Sequence, residues 1–524
     1  MNCVTLLALA ALTAAGGSPA EPIQSVTVGE NAELRVNGRP FLPIMLWLQS
    51  EARIPDGLAI AANTFAGDGG GSLKGKAYLD ALAARGLFGV IHFDANAVGH
   101  PALLGWIHGD EPDLHRQVSD AEVVPGPGLV LNASTPLWRL VDGNASSWSV
   151  LDPLEGAEVT IRVKAPVTVR ALAVSATVSE NLSVAKEVAF FGDGRELLRT
   201  TLENRRGAQR FALPEAATFR ELSLKVLSTY PGREKWGSLG EVEAFDDAGK
   251  NVLLSPPRYV PRARPEEVAA EYRRIKAADP RRPVFVTFTA NFMRESTIYD
   301  AATKQQLYPE YVKSCDVAGF DIYPIFGWNK PEWLYRVADG VSELRAIAGP
   351  KRPVYAWIET NKGSRWVSPE RQIDVTPADT RAEVWMALIR GASGIGYFTH
   401  RWVPDYKQFA PEGEMVTALR VLNQRITRLA PALLAPAAPE KVEMSLTGGL
   451  GCHVKATRLD GVLYLFAQNM DMKRQPGEAT LRVPGLKAGT RIEVVDENRF
   501  LTAADGFFTD RFEPLAEHVY RIAR

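Results

Sequence analysis

Two carboxylates in this sequence stand where chemistry could be done. In "ALLGWIHGDEPDL", residues 102–114, an apolar run ends on the adjacent acids Asp110 and Glu111, sealed by Pro112. In "VYAWIET", residues 354–360, a second apolar run ends on Glu359. Acid at the end of a buried strand costs free energy unless the carboxylate has a partner or a task. Two such groups facing one another can protonate a leaving oxygen while attacking carbon or activating water, the pairing that splits a glycosidic bond.

For the two acids to meet, their strands must share a rim. Eight short apolar segments are strand candidates: 42–47, 63–67, 88–94, 105–111, 284–289, 317–324, 354–360 and 394–400. Helical patterns lie between several of them, at 75–86, 265–277, 331–348, 377–391 and 412–428. "RPEEVAAEYRRIKAAD" opens with Pro and acids, as helix starts prefer. The third and fourth strands are joined without a clear helix. This alternation predicts an α/β fold, a parallel sheet closed as a (β/α)₈ TIM barrel, whose functional groups gather at the C-terminal ends of the strands. Glu111 then ends the fourth strand and Glu359 the seventh.

The barrel is interrupted. Between the proline-rich "VVPGPG" and "SPPRYVPRARP" run alternating segments such as "EVTIRVKAP" and "FRELSLKVLST", an antiparallel β-sandwich pattern. A last stretch after "APALLAPAAPE" is again all β. The expected division is a signal peptide at 1–20, the first half of the barrel at 21–123, an inserted sandwich at 124–257, the second half of the barrel at 258–435 and a C-terminal β-sandwich at 436–524. "CVTLLALAALTAAGG" followed by Ser18-Pro19-Ala20 reads as an export signal too short to span a membrane, so a secreted or periplasmic protein is expected. Beyond it only Cys315 and Cys452 remain, expected as buried thiols rather than a disulfide framework. Lys plus Arg number 60 against 61 Asp plus Glu, so no basic field invites nucleic acid or anionic membrane. "ELRVNGRPF" carries a hairpin signal at Asn37-Gly38.

Acids at the fourth and seventh strand ends resemble the clan A glycoside hydrolases, across residues 33–115 and 258–430. That resemblance implies hydrolysis of a poly- or oligosaccharide with retention, Glu111 as general acid/base and Glu359 as nucleophile. It also implies that Tyr323, in "FDIYP", touches the nucleophile and that Trp402 floors the cleaved sugar. Many clan members carry Asn before the acid; here it is Asp110, able to share proton duties with Glu111. Trp47, His92, Asp94, Trp357 and His400, at or near strand ends, are expected to line the substrate site. No cofactor or metal is expected. Two alternatives stand beside this reading: a carbohydrate-binding barrel without activity, and a metal-dependent hydrolase using His92, Asp94 and His400, for which no tight ligand spacing speaks.

In the insertion, "WRLVDGNASSW" and "GSLGEVEAF" resemble the discoidin-type fold that includes family 32 carbohydrate-binding modules. The resemblance implies sugar binding through end loops, sometimes beside a structural calcium, with Trp148, Tyr230 and Trp236 as loop aromatics.

Overall fold

A computed structural model describes residues 21–523; the signal-peptide expectation at 1–20 lies outside them. The eight expected strands are present: β1 (Ile44–Trp47), β2 (Thr64–Ala66), β3 (Phe88–Ile91), β4 (Leu103–Ile107), β5 (Val284–Thr289), β6 (Val317–Asp321), β7 (Val354–Glu359) and β8 (Gly394–Phe398). They pair in parallel, in chain order, into a closed barrel. Both faces of each strand are covered, which is why the segments read as continuous apolar runs. Side chains alternate between an outer layer under the helices (Leu46, Phe288, Ile358) and an inner plug (Met45, Phe285, Tyr355, Trp357). The plug leaves no room for side chains opposite its largest rings. A Cβ on Gly319 would lie 2.0 Å from the Tyr355 ring and one on Gly396 2.1 Å from that of Trp357.

Seven helices accompany the strands: α1 (Ile54–Ala59), α2 (Gly75–Ala83), α3 (Pro265–Ala278), α4 (Ala301–Val312), α5 (Tyr335–Ala348), α6 (Pro377–Ile389) and α7 (Gly413–Leu433). Two were not anticipated. α1 is barely a turn and a half, and α4 carries Pro309 and three tyrosine or aliphatic anchors (Tyr308, Tyr311, Val312) in place of a regular apolar stripe. α5 starts later than the expected 331, because residues 331–333 form a separate 3₁₀ turn. The link from β3 to β4 holds only the short turn Ala95–Ala97, in keeping with the weak pattern there. The Asn37-Gly38 hairpin forms with both residues at positive φ, 51° and 78°. Cys315 is buried and Cys452 half-buried; both are free thiols. None of the described helices is long and apolar enough to cross a membrane.

The described chain divides into two compact units, residues 21–114 with 261–523, and His115–Val260. The second is an antiparallel seven-stranded assembly around its own core of Phe190, Phe219, Leu222 and Leu224. Its long strands, Glu158–Ala176 and Gly207–Tyr230, pair through register shifts that bend the ladder. Its two ends, residues 115–118 and 258–261, pair as a two-stranded ribbon.

Within the first unit the C-terminal strands form a three-stranded and a five-stranded sheet. These grip α6 and α7. Phe466 stacks on Trp385, and the fully buried Glu517 accepts from Arg381 and Arg425.

Residues 115–260 expressed alone are expected to unfold in one cooperative transition. The remaining chain, joined by a short Gly/Ser linker, is expected to keep its own. Calorimetry of the two pieces checks this; a piece that melts without a heat-absorption peak would count against it.

Candidate active site

The loop leaving β4 is shaped by one buried carboxylate. Asp113 accepts from the Thr289 amide (2.9 Å), the Thr289 hydroxyl (2.8 Å) and the Tyr308 hydroxyl (2.7 Å). Tyr299 donates to its carbonyl. Burial pushes the Asp113 carboxyl up to about 7, with the three donors working against that rise. From the other side the returning chain fastens the loop: the Arg262 and Ala263 amides donate to Leu114 and Pro112. So clamped, Glu111 sits at φ 45°, in the left-handed region that costs a side-chain-bearing residue about 1 kcal/mol.

The strain aims Glu111 at other acids. Its carboxylate lies 3.8 Å from the Arg262 guanidinium, which also donates to the Asp110 carbonyl at 2.8 Å. Asp321, the last residue of β6, points into the mouth within hydrogen-bonding reach of Glu111. Its pKa is raised well above the ordinary value by burial, then by the charges of Glu111 and Asp110. Asp110, open to water but walled by protein, is pushed up to about 7 by desolvation and the Glu111 charge. Three carboxyls thus crowd one surface, and two of them, Asp110 and Asp321, hold their protons to higher pH than a free carboxyl would. In the sequence Asp321 stands in "FDIYP", two residues before Tyr323, where it reads as an acid that orients a neighbour. The period-two register from Gly319, which faces Tyr355 inside the barrel, is what marks it as inward.

Glu359 is different. It ends β7 as expected, but it is fully buried. Its two oxygens are occupied by the backbone amides of Ile325 (2.9 Å) and Phe326 (2.6 Å). Of the two acids expected to act together, Glu111 is partly exposed and Glu359 has no exposed surface. Tyr323 stands between the two sets, buried against Phe398 (4.8 Å), its phenol raised by burial and by Asp321, Asp110, Glu111 and Glu359 in that order.

The remaining expected residues separate into two groups. Trp357 is part of the barrel plug, 2% exposed, with its indole N–H donating to the Thr287 hydroxyl; Trp47 packs on it. Trp357 serves as packing inside the barrel, whereas Trp47, the last residue of β1, stays partly exposed. Asp94 caps its own turn and the start of α2, through the Asn96 and Lys76 amides. His92 is half-exposed and bonded to Asp68 at 2.7 Å, an acid the sequence reading passed over in a glycine-rich loop. His92, Asp94 and His400 make separate contacts, and among the described residues no three His, Cys, Asp or Glu side chains gather as a metal site.

His400 and Trp402 belong to an aromatic rim. His400 lies between Trp402 (6.2 Å, 25°) and Tyr406 (6.1 Å, 21°). It is buried, neither ring nitrogen has a hydrogen-bond partner, and desolvation pushes its pKa down to about 4. Trp402 also meets Trp366 at 5.4 Å, with Arg365 over both rings. Trp366 and Tyr406 are exposed.

In the second unit, Trp148 is exposed, and the Tyr230 hydroxyl donates to the Leu202 carbonyl. Trp236 lines a cavity of about 450 Å³ with Asn132 and Asp152. Glu241 is buried; one oxygen accepts from the Gly143 and Asn144 amides while the other has no partner. Desolvation, then the Asp142 carboxyl beside it, push Glu241 up to about 8.

No family model and no curated protein matches the chain. Solved structures that match it include the family 32 carbohydrate-binding module of C. perfringens NanJ in complex with galactose. That match has 11% identity and a TM-score of 0.21, over 25% of this chain and 98% of that one. The family 32 module of Streptococcus pneumoniae EndoD matches at 15% identity and TM-score 0.22, over 25% and 100%. A truncated AlyQ with family 32 and alginate lyase domains matches at 15% and 0.20, over 25% of this chain and a third (33%) of its own.

Because the Glu111 backbone is strained, Glu111→Gly is expected to be more stable than Glu111→Ala by about 1 kcal/mol, as glycine alone adopts this φ freely. Urea unfolding of the two variants measures it. Equal stabilities would mean the loop relaxes once the carboxylate is gone.

Proposed function

We propose that this chain hydrolyses glycosidic bonds of a poly- or oligosaccharide at the barrel mouth, with Glu111 as the proton donor. The observation that carries the proposal is the strained Glu111, held by Asp113 and Arg262 against Asp110 and Asp321. Strain at a solvent-reached acid is the mark of a group kept in place for a task rather than for packing. The crowd of carboxyls lets one be protonated and another charged at the same pH, as acid and base roles require. Trp402, Trp366 and Tyr406 offer flat apolar faces beside it, suited to the C–H faces of sugar rings.

The second carboxylate is Asp321 or Asp110. A retaining course using Glu359 as nucleophile, implied by the strand positions, requires the Tyr323–Gly327 segment to lift and bare its oxygens. The sealed Glu359 also favours a second reading: a barrel that binds carbohydrate without cleaving it.

In the second unit two acids, one with an orphaned buried oxygen, are hard-oxygen donors of the kind calcium takes, two of the roughly six to eight it needs. Asp142 and Glu241 would hold the ion, which would neutralise the pair and brace the Asp142–Ser147 turn.

Two experiments test these readings. Wild type is expected to release reducing ends from at least one plant, algal or bacterial polysaccharide or aryl glycoside. Glu111→Ala is expected to lose about 10²–10⁴ in kcat on poor leaving groups, less on dinitrophenyl glycosides, with partial recovery in azide. Wild type inert across the panel, yet retained on a polysaccharide affinity gel, would give the binding reading. Calcium is expected to raise the melting temperature of residues 115–260 and to lose that effect in Glu241→Gln; no shift at millimolar calcium would remove the ion from the account.

A further inference from the structure

A second acid pair lies behind the mouth. Glu383, one turn along α6 from Asp379, is fully buried, and neither of its carboxyl oxygens meets a hydrogen-bond donor. The nearby Glu359 amide stands outside hydrogen-bond geometry, while the Glu359 carboxyl is within bonding reach. The other groups facing the pair bring no compensating charge to it. Asp379 is occupied by Arg474 (2.5 Å) and by its helix cap at Thr376 (2.6 Å). Tyr323 faces the pair as a neutral phenol, and Thr380 donates to the Glu359 carbonyl.

An ionised carboxylate with no donor, next to another carboxylate and out of water, is too costly to persist; the group takes up a proton instead. That proton needs an acceptor, and Glu359 is the one in reach. We infer that Glu383 and Glu359 share a single proton, and that Glu383 is thereby a positioning residue which pins the Tyr323–Gly327 segment at the barrel mouth.

The pin works through Glu359. With the Glu383 hydroxyl donating to it, the Glu359 carboxylate has three donors: that hydroxyl and the amides of Ile325 and Phe326. Those two amides belong to the segment that carries Tyr323 toward the open acids and Phe326 against Trp366 (5.9 Å) and Trp402 (5.7 Å). Burial raises both carboxyls above the ordinary glutamate value of 4.5, Glu383 further because the Glu359 charge adds to it. The folded chain therefore keeps a proton that the unfolded chain releases above about pH 4.5. Stability from the pair is complete below that pH and declines as pH rises toward the folded pKa. Loss of the proton leaves two buried charges and frees the segment.

The inference does not rest on glycosidase activity, and its readouts are spectroscopic and thermodynamic, so it survives or fails independently of the proposed function. In the full chain at neutral pH, infrared difference spectra of wild type against Glu383→Gln are expected to show a protonated-carboxyl carbonyl band lost in the variant. Glu383→Gln keeps a neutral donor, so its unfolding constant should vary with pH less than that of wild type, by up to about tenfold per pH unit for one linked proton. Wild type is expected to show an alkaline change in the near-UV dichroism of Trp366 and Trp402, and the variant is expected to lack it. Should the variant not fold, the wild-type spectrum decides alone, by titrating the acid band in glutamate labelled with carbon-13. Absence of a protonated glutamate at neutral pH, or identical pH slopes in the two proteins, would overturn the inference.

Discussion

Everything at the barrel mouth hangs on how buried carboxylates find donors. Asp113 is the plainest case. Fully withdrawn from water, it gathers an amide and a hydroxyl from Thr289 at the end of β5 and a phenol from α4, and so ties the loop after β4 to its neighbouring strand and helix. A buried carboxylate with its lone pairs filled is a rigid fixture; an unfilled one is a liability. That fixture lets the chain hold Glu111 in a backbone conformation it would otherwise leave.

Three grades of acid follow from the same rule. Asp113 is sealed and satisfied by neutral donors. Glu359 and Glu383 are sealed but share too few donors, so a proton makes up the difference. Asp110, Glu111 and Asp321 crowd together at the mouth, where burial and neighbouring charge raise the pKa of Asp110 and of Asp321. The proposed chemistry draws on the third grade, because there a ligand can replace water as the partner. The grades also explain why position at a strand end is not enough. Glu359 is the last residue of β7 and is capped by its neighbour's loop, whereas Glu111 lies four residues past the end of β4 and is partly exposed.

The barrel strands were legible in the sequence because burial on both faces writes an unbroken apolar run, and "VFVTFT" or "VYAWIE" has no other use. α4 was not, since Pro309 and its tyrosines break the pattern that marks a helix. Glu111 was legible as an anomaly, an acid where the run should have continued. The sealing of Glu359 was invisible because its donors are the backbone amides of Ile325 and Phe326, and an amide leaves no trace in residue type. Glu383 was hidden for the opposite reason: within α6 it resembles any surface glutamate, and only the fold reveals that the helix is buried there. Residue type alone could not tell the packed Trp357 from the partly exposed Trp47, because aromatic rings serve packing and sugar stacking equally well.

The paired ends of the second unit bear on how the barrel assembles. β4 and β5 are neighbours through Trp106 opposite Val284 and Ile107 opposite Phe285, although nearly 180 residues separate them in the chain. Closing so long a loop from an extended state is slow and entropically unfavourable. Once residues 115–118 and 258–261 have zipped together, the intervening chain no longer counts as loop, and the two halves of the barrel meet as if joined by a short hairpin. Pairing of those two short strands is all this shortening requires, so the length of the guest module adds little to the closure of its host.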